Sequence, residues 1–179
     1  SRPAPQPSAG GDAAVREARA SVARGQEIFN HKPFEIAGVR GLNDEGGRSP
    51  TEPLVGTCTT CHNAPNAGSH SLPRLMDIGI SSPPPQFFPA DMPRYTLRNK
   101  ETGETLVTSD PGRALITGKW ADRNKFKVPV LRGLAARAPY FHNGSIADIE
   151  GVVRFYNGRF RMGLTEQEQA DLAAFLRCR

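Results

Sequence analysis

Two of the three cysteines in the chain stand three positions apart in Cys58-Thr59-Thr60-Cys61, and His62 follows directly. Two thiols at that spacing share one helical turn, where each can form a thioether with one vinyl group of a porphyrin. The next residue then presents its imidazole to the iron, so Cys58, Cys61 and His62 form the c-type haem attachment pattern. His62 would bind through Nε2, and its Nδ1 proton would need a carbonyl acceptor to fix the tautomer and raise its basicity. A zinc site would require two more ligands, and neither a second Cys-x-x-Cys nor a His-x-x-x-His is present. A thioredoxin-like pair would want a βαβ setting, and a Cys58–Cys61 disulfide would close too small a ring to stabilise much and leave His62 unexplained. Cys178, one residue from the end, reads as a spare thiol, so one covalent haem c is the expected cofactor. Attachment of this kind takes place outside the cytoplasm, which predicts a periplasmic or otherwise extracytoplasmic location.

The far side of the iron then decides the chemistry: a strong sixth ligand favours electron transfer, and an open or labile position admits peroxide or oxygen. Met76, Met92 and Met162 offer thioethers, His31, His70 and His142 imidazoles, and Tyr156 a phenolate. Small electron-transfer cytochromes carry the methionine just before the last helix, which favours Met162 in "RFRMGLTEQE". The plainer readings stand beside these: methionines that fill gaps in a wall, His70 on a loop surface, Tyr156 as the last apolar position of a helix with its hydroxyl bonded.

The elements that must position this site are mainly helical. With 179 residues, 37% of them hydrophobic, the chain suits one domain with a modest core, and 18 Gly and 16 Pro predict long loops. Residues 1–12 read as a flexible tail and 13–179 as one cytochrome c-like domain. A first helix is expected from about Asp12 to Asn30, with Val15, Ala18, Val22 and Phe29 near one face and Gly25 leaving room for close packing. A hairpin is expected around the Thr-Gly pair of "RYTLRNKETGETLVTS". Ser145 to Asp148 reads as a capping box opening a helix over 145–156, and Thr165 to Glu168 as a second box opening a terminal helix that buries Leu172, Phe175 and Leu176. No apolar run approaches the roughly 20 residues needed to cross a bilayer. The net charge of +5 is concentrated between Arg113 and Arg161, where ten Lys or Arg face Asp122, Asp148 and Glu150. No base-reading motif accompanies that bias, so nucleic acid is not expected as a partner; a redox protein docking on the basic 119–137 segment is.

The text "FKVPVLRGLAARAPYFHNGSIADIEGVVRFYNGRF", continued by "LTEQEQADLAAFL", resembles the C-terminal haem domain of the bacterial di-haem cytochrome c peroxidases and of their methylamine-utilisation (MauG) branch. "SDPGRALITGKW" and "CHNAPNAGSHSLP" are similar to the same group. The resemblance implies a cytochrome c-like α fold with His62 as proximal ligand. It also implies a distal ligand one helix beyond "PYFH", which is methionine in the peroxidases and tyrosine in the MauG branch. Here that place is Tyr156, and Met162 becomes the runner-up. Arg132 and His142, inside the shared motifs, would neutralise haem propionates or fix loops, and Trp120 would pack at the haem periphery or in the core. The family's enzymes hold two haems, and this chain has one attachment motif, so the resemblance implies a mono-haem relative or a portion of a larger system with a second haem-bearing chain. An electron carrier is the first expectation. The alternatives are a peroxidase-like or MauG-like enzyme, in which His70 or His142 assists proton transfer, and a haem sensor or supporting subunit.

Overall fold

The computed structural model describes residues 9–49, 51–62, 74–81 and 93–179. Residues 1–8 of the expected tail, His70 and Met92 lie outside the described residues. The order is α1 (Ala9–His31), β1 (Phe34–Ile36), β2 (Leu54–Gly56), a 3-10 turn at Cys58–Thr60, β3 (Leu75–Met76), β4 (Tyr95–Arg98), β5 (Thr105–Thr108), α2 (Ala114–Thr117), β6 (Phe126–Lys127), α3 (Ile149–Arg159) and α4 (Glu166–Arg177). Helices carry the structure, as expected of a cytochrome c-like fold. Among the described residues, strands form three antiparallel ribbons: β1 with β2, β3 with β6, and β4 with β5. The last is the expected hairpin, pairing Tyr95 with Thr108 and Arg98 with Thr105. The other two correct the expectation of at most one small hairpin; strands of two or three residues are too short to show a period of two in sequence.

α1 and α4 pack along each other more extensively than any other pair of elements. The contact is close because Gly25 has no side chain: a Cβ there would fall 2.0 Å from the carbonyl oxygen of Asp171. α1 begins at Ala9, earlier than the sequence suggested, and Val15 is 50% exposed instead of joining the packed face. The reason is length, since α1 runs to about 34 Å and α4 to about 18 Å at the helical rise, so only the second half of α1 finds a partner.

Asp171 locks this pair. Its side chain is buried and accepts from Ser21 Oγ at 2.6 Å, Arg24 Nε at 2.7 Å and Gln167 Nε2 at 3.0 Å. The Arg24 guanidinium first, then Ser21 and Gln167, outweigh burial and hold its carboxyl down at about 2. Asp171→Ala removes the buried acceptor shared by Ser21, Arg24 and Gln167 while Arg24 keeps Glu17, and is expected to lower unfolding free energy by about 1–3 kcal/mol in a denaturant titration. A carboxyl depressed on folding contributes stability above its unfolded value of about 3.9. The Asp171 contribution is therefore lost as pH falls from near 4 through about 2.

α4 opens with the expected box: Glu168 N–H donates to Thr165 Oγ1 at 3.2 Å, and Thr165 N–H to Glu168 Oε2 at 2.9 Å. α3 starts later than expected. Tyr140 N–H donates to the Ile146 carbonyl at 2.6 Å, which holds that residue in a bridge. Asp148 then caps the helix by accepting from Gly151 N–H at 2.6 Å.

Two apolar clusters result. One joins α1, α3 and α4 through Ile28, Phe29, Val153, Leu172, Phe175 and Leu176. The other gathers Ile36, Val39, Leu42, Met76 and Val128 around β1 and β3. Phe34 and Phe160 pack against both, with ring centroids 5.6 Å apart.

Candidate haem site

Both clusters contribute walls to one cavity: Phe29, Val153, Leu172 and Leu176 from the first, Ile36, Met76 and Val128 from the second. It encloses about 1230 Å³ including its open mouth, and its lining is overwhelmingly apolar. Cys58, Cys61 and His62 lie in the same wall. Their turn is set by Thr57, whose N–H donates to Thr60 Oγ1 at 3.0 Å and whose Oγ1 accepts from Thr59 N–H at 3.3 Å. The N–H groups of Cys61 and His62 both reach the Cys58 carbonyl, at 3.3 and 3.0 Å. The motif is thus wound as one turn, which presents two thiols and the imidazole to the cavity.

Burial governs their ionisation. It pushes Cys58 up to about 12 and Cys61 up to about 11, so both are thiols at neutral pH. It pushes His62 down to about 4, with the Pro129 backbone pulling the other way. Proline has no N–H, so that backbone group is a carbonyl acceptor. The imidazole is neutral, the form that donates to a metal. His62 Nδ1 is buried without a completed hydrogen bond, and Phe29 stands 6.3 Å from the ring.

Tyr156 and Met162, the two distal candidates, also line the cavity, as does Met76. Met76 and Met162 are 3% and 8% exposed, tightly packed in the two clusters. Burial raises the Tyr156 phenol above its ordinary value, so the phenol is neutral at neutral pH. Its ring packs against Phe155 at 5.4 Å, Phe160 at 6.1 Å and Phe141 at 6.2 Å.

The remaining candidates stand elsewhere. Arg132 is exposed and outside the lining, while its neighbour Leu131 is buried against it. His142 is outside the lining too: Nε2 bonds Asp110 Oδ2, and the ring stacks on Phe126 at 3.6 Å. Trp120 is half-buried under the Arg123 guanidinium, 4.3 Å from its ring centre, and does not line the cavity. Sequence reasoning missed Phe141, Phe160 and Pro129 as parts of the site. The first and third lie inside the "PYFH" and "VPVL" motifs, which were the available signal.

An apolar cavity between two cores, with two thiols and a neutral imidazole in its lining, fits a covalently held iron porphyrin. Among the described residues no three His, Cys, Asp or Glu side chains converge on a metal-sized point. Fold and site together define a c-type cytochrome domain. Comparison with known proteins is specific. "Cytochrome-c peroxidase IdrP1" of Denitromonas iodatirespirans is 32% identical over 139 residues, 66% of this chain and 35% of that protein. "Cytochrome c551 peroxidase" of Nitrosomonas europaea is 32% identical over 122 residues, 67% of this chain and 29% of that protein. "Methylamine utilization protein MauG" of Paracoccus denitrificans is 46% identical over 37 residues, 21% of this chain and 10% of that protein. No protein-family model matches. The chain belongs to the bacterial cytochrome c peroxidase and MauG family, and fits its C-terminal haem domain. It spans about a third of the length of the curated relatives it matches.

Proposed function

We propose that this chain is a mono-haem c-type domain that passes electrons between redox partners in the periplasm, with His62 and Tyr156 as axial ligands and Met162 as the runner-up. Haem c supplies one-electron chemistry when bound; the chain supplies ligation, exclusion of water and a docking face. The observation that carries this reading is the lining itself. Among the described residues it holds one imidazole, His62, and no carboxylate, and its largely apolar wall suits ligation and exclusion of water better than proton transfer. His142 is tied to Asp110 outside it. Tyr156 lines the cavity at the place, one helix beyond "PYFH", where the resemblance puts the distal ligand, which supports Tyr156 over Met162.

A redox partner of acidic surface would dock on the 119–137 segment. Lys119, Arg123, Lys125, Lys127, Arg132 and Arg137 face one carboxylate there, Asp122. Among the described residues none of those six forms an ion pair, whereas Arg24, Lys32, Arg40, Arg74 and Arg177 do. Electron exchange with an anionic partner is expected to slow steeply with added salt. Lys125→Glu with Lys127→Glu is expected to cut the association rate about tenfold or more in stopped-flow at low ionic strength.

The second reading is a peroxidase-like or MauG-like enzyme, or its haem subunit, in which Tyr156 is displaced by peroxide and a second haem sits on another chain. The names of the relatives favour it. Optical and electron-paramagnetic spectra of the ferric protein, before and after peroxide, separate the two. The carrier stays low-spin and unchanged; the enzyme shows a high-spin population and responds. The same spectra of Tyr156→Phe and Met162→Leu identify the sixth ligand, and no change in either variant removes both assignments.

A further inference from the structure

Arg159 follows Tyr156 by one helical turn at the end of α3. Its guanidinium has a seat built for it. Nε donates to the Ile78 carbonyl at 3.1 Å, and Nη2 donates to the carbonyls of Ala37 and Gly38 at 3.3 and 3.2 Å. The group also lies 4.9 Å over the Phe160 ring. Two loops carry these acceptors, and each turns beside the guanidinium at a glycine in the left-handed region, Gly38 at φ 70° and Gly79 at φ 87°. A Cβ added at Gly38 would meet Arg159 Nη2 at 3.4 Å, and one at Gly79 would meet Nε at 3.6 Å, with no other atom nearby. Among the described residues no carboxylate pairs with this cation, which is held by main-chain carbonyls.

Ile36, Ile78, Tyr156 and Phe160 all line the cavity, so this side chain fastens the last turn of α3 to the walls built from β1 and β3. We propose that Arg159 is the positioning residue of the distal wall: it fixes the Tyr156 phenol for ligation, and its unneutralised charge raises the reduction potential. The inference rests on the reading of Tyr156 as the sixth ligand. Holding a ligand within about half an ångström requires support of this kind from residues that do not touch the metal. A fixed cation beside a low-dielectric cavity favours the reduced, less positive centre.

The test uses the natively matured holoprotein with Arg159→Met, Arg159→Lys and Tyr156→Phe. Potentiometric titration and ferric electron-paramagnetic spectra are the readouts. Arg159→Met is expected to lower the potential and raise the high-spin fraction. Arg159→Lys is expected to keep the potential near the parent while still raising the high-spin fraction, because one ammonium cannot span carbonyls on two loops. If Arg159→Met does not fold, the Lys variant decides on its spin state. Parental spectra and potential in the Arg159 variants, with only the unfolding midpoint moved, would reduce Arg159 to a structural anchor and overturn the inference. If Tyr156→Phe itself leaves the ferric spectrum unchanged, the ligand reading fails and takes the inference with it. A changed Tyr156→Phe spectrum beside unchanged Arg159 variants sinks the inference alone.

Discussion

His62→Ala is expected to abolish the low-spin ferric spectrum while leaving the haem covalently attached. The two functions sit on separate residues: Cys58 and Cys61 provide the thiols, and His62 is the imidazole in the described lining. The turn is held by main-chain bonds from Cys61 and His62 to the Cys58 carbonyl, which survive the substitution. Removing the ring deletes a half-buried group beside Phe29, at a cost of about 1–2 kcal/mol. Added imidazole should restore the low-spin spectrum, since it enters the space the ring occupied. A variant that keeps the parental spectrum without added imidazole would show that another residue holds the proximal position.

Tyr156→Phe carries the second large effect. The phenol is half-buried in the lining, and desolvation there opposes its ionisation. If Tyr156 holds the sixth position, a bound ferric iron would favour its phenolate form, and that anion would stabilise the ferric state over the ferrous. Removing one hydroxyl oxygen keeps the ring contacts with Phe155 and Phe160 and so keeps the wall. The reduction potential is expected to rise by about 0.1 V or more, within the ≈ 0.8 V range that axial ligands command. The ferric spectrum should turn high-spin, or show methionine ligation if Met162 moves in. The stability change should be small by comparison, about 1 kcal/mol for one lost hydroxyl interaction, which separates a coordination effect from a packing effect in thermal unfolding.

The haem motif, the Thr165 box and the 95–108 hairpin were legible because each is local: the partners lie within a few residues of one another. Thr165 and Glu168 satisfy each other across one turn. What escaped reading depends on contacts distant in sequence. Asp171 shows nothing unusual in "EQEQADLAAFL", yet it accepts from Ser21 and Arg24, residues on α1. Ser145 matched a capping box, but the Tyr140–Ile146 bridge occupies the chain where that helix would begin and moves the cap to Asp148. Arg132 and His142 carried chemistry-bearing side chains inside the shared motifs, and the fold turns both away from the cavity lining. The apolar neighbours Leu131 and Phe141 line it instead. The small ribbons β1–β2 and β3–β6 were invisible for a related reason: their registers are set by the walls they build, through Ile36, Met76 and Phe126, rather than by any alternation of their own.

The choice among Met76, Tyr156 and Met162 narrows less, because all three line the cavity. Their surroundings differ in kind. The two methionines are enclosed by aliphatic and aromatic neighbours in the clusters, where an adaptable thioether fills space. Tyr156 brings a phenol to the lining on a helix whose end is anchored by Arg159. A ligand must hold its position against iron, and three main-chain carbonyls hold Arg159 on the helix that carries Tyr156.

The most direct measurement of the whole account is the intact mass of the polypeptide matured in a host that attaches haem. The mass should exceed that of the chain by one haem, with the addition mapping to the peptide that contains Cys58 and Cys61 and vanishing when both are changed to serine. An unmodified mass from such a host, with Cys58 and Cys61 both free to react with a thiol reagent, would contradict it.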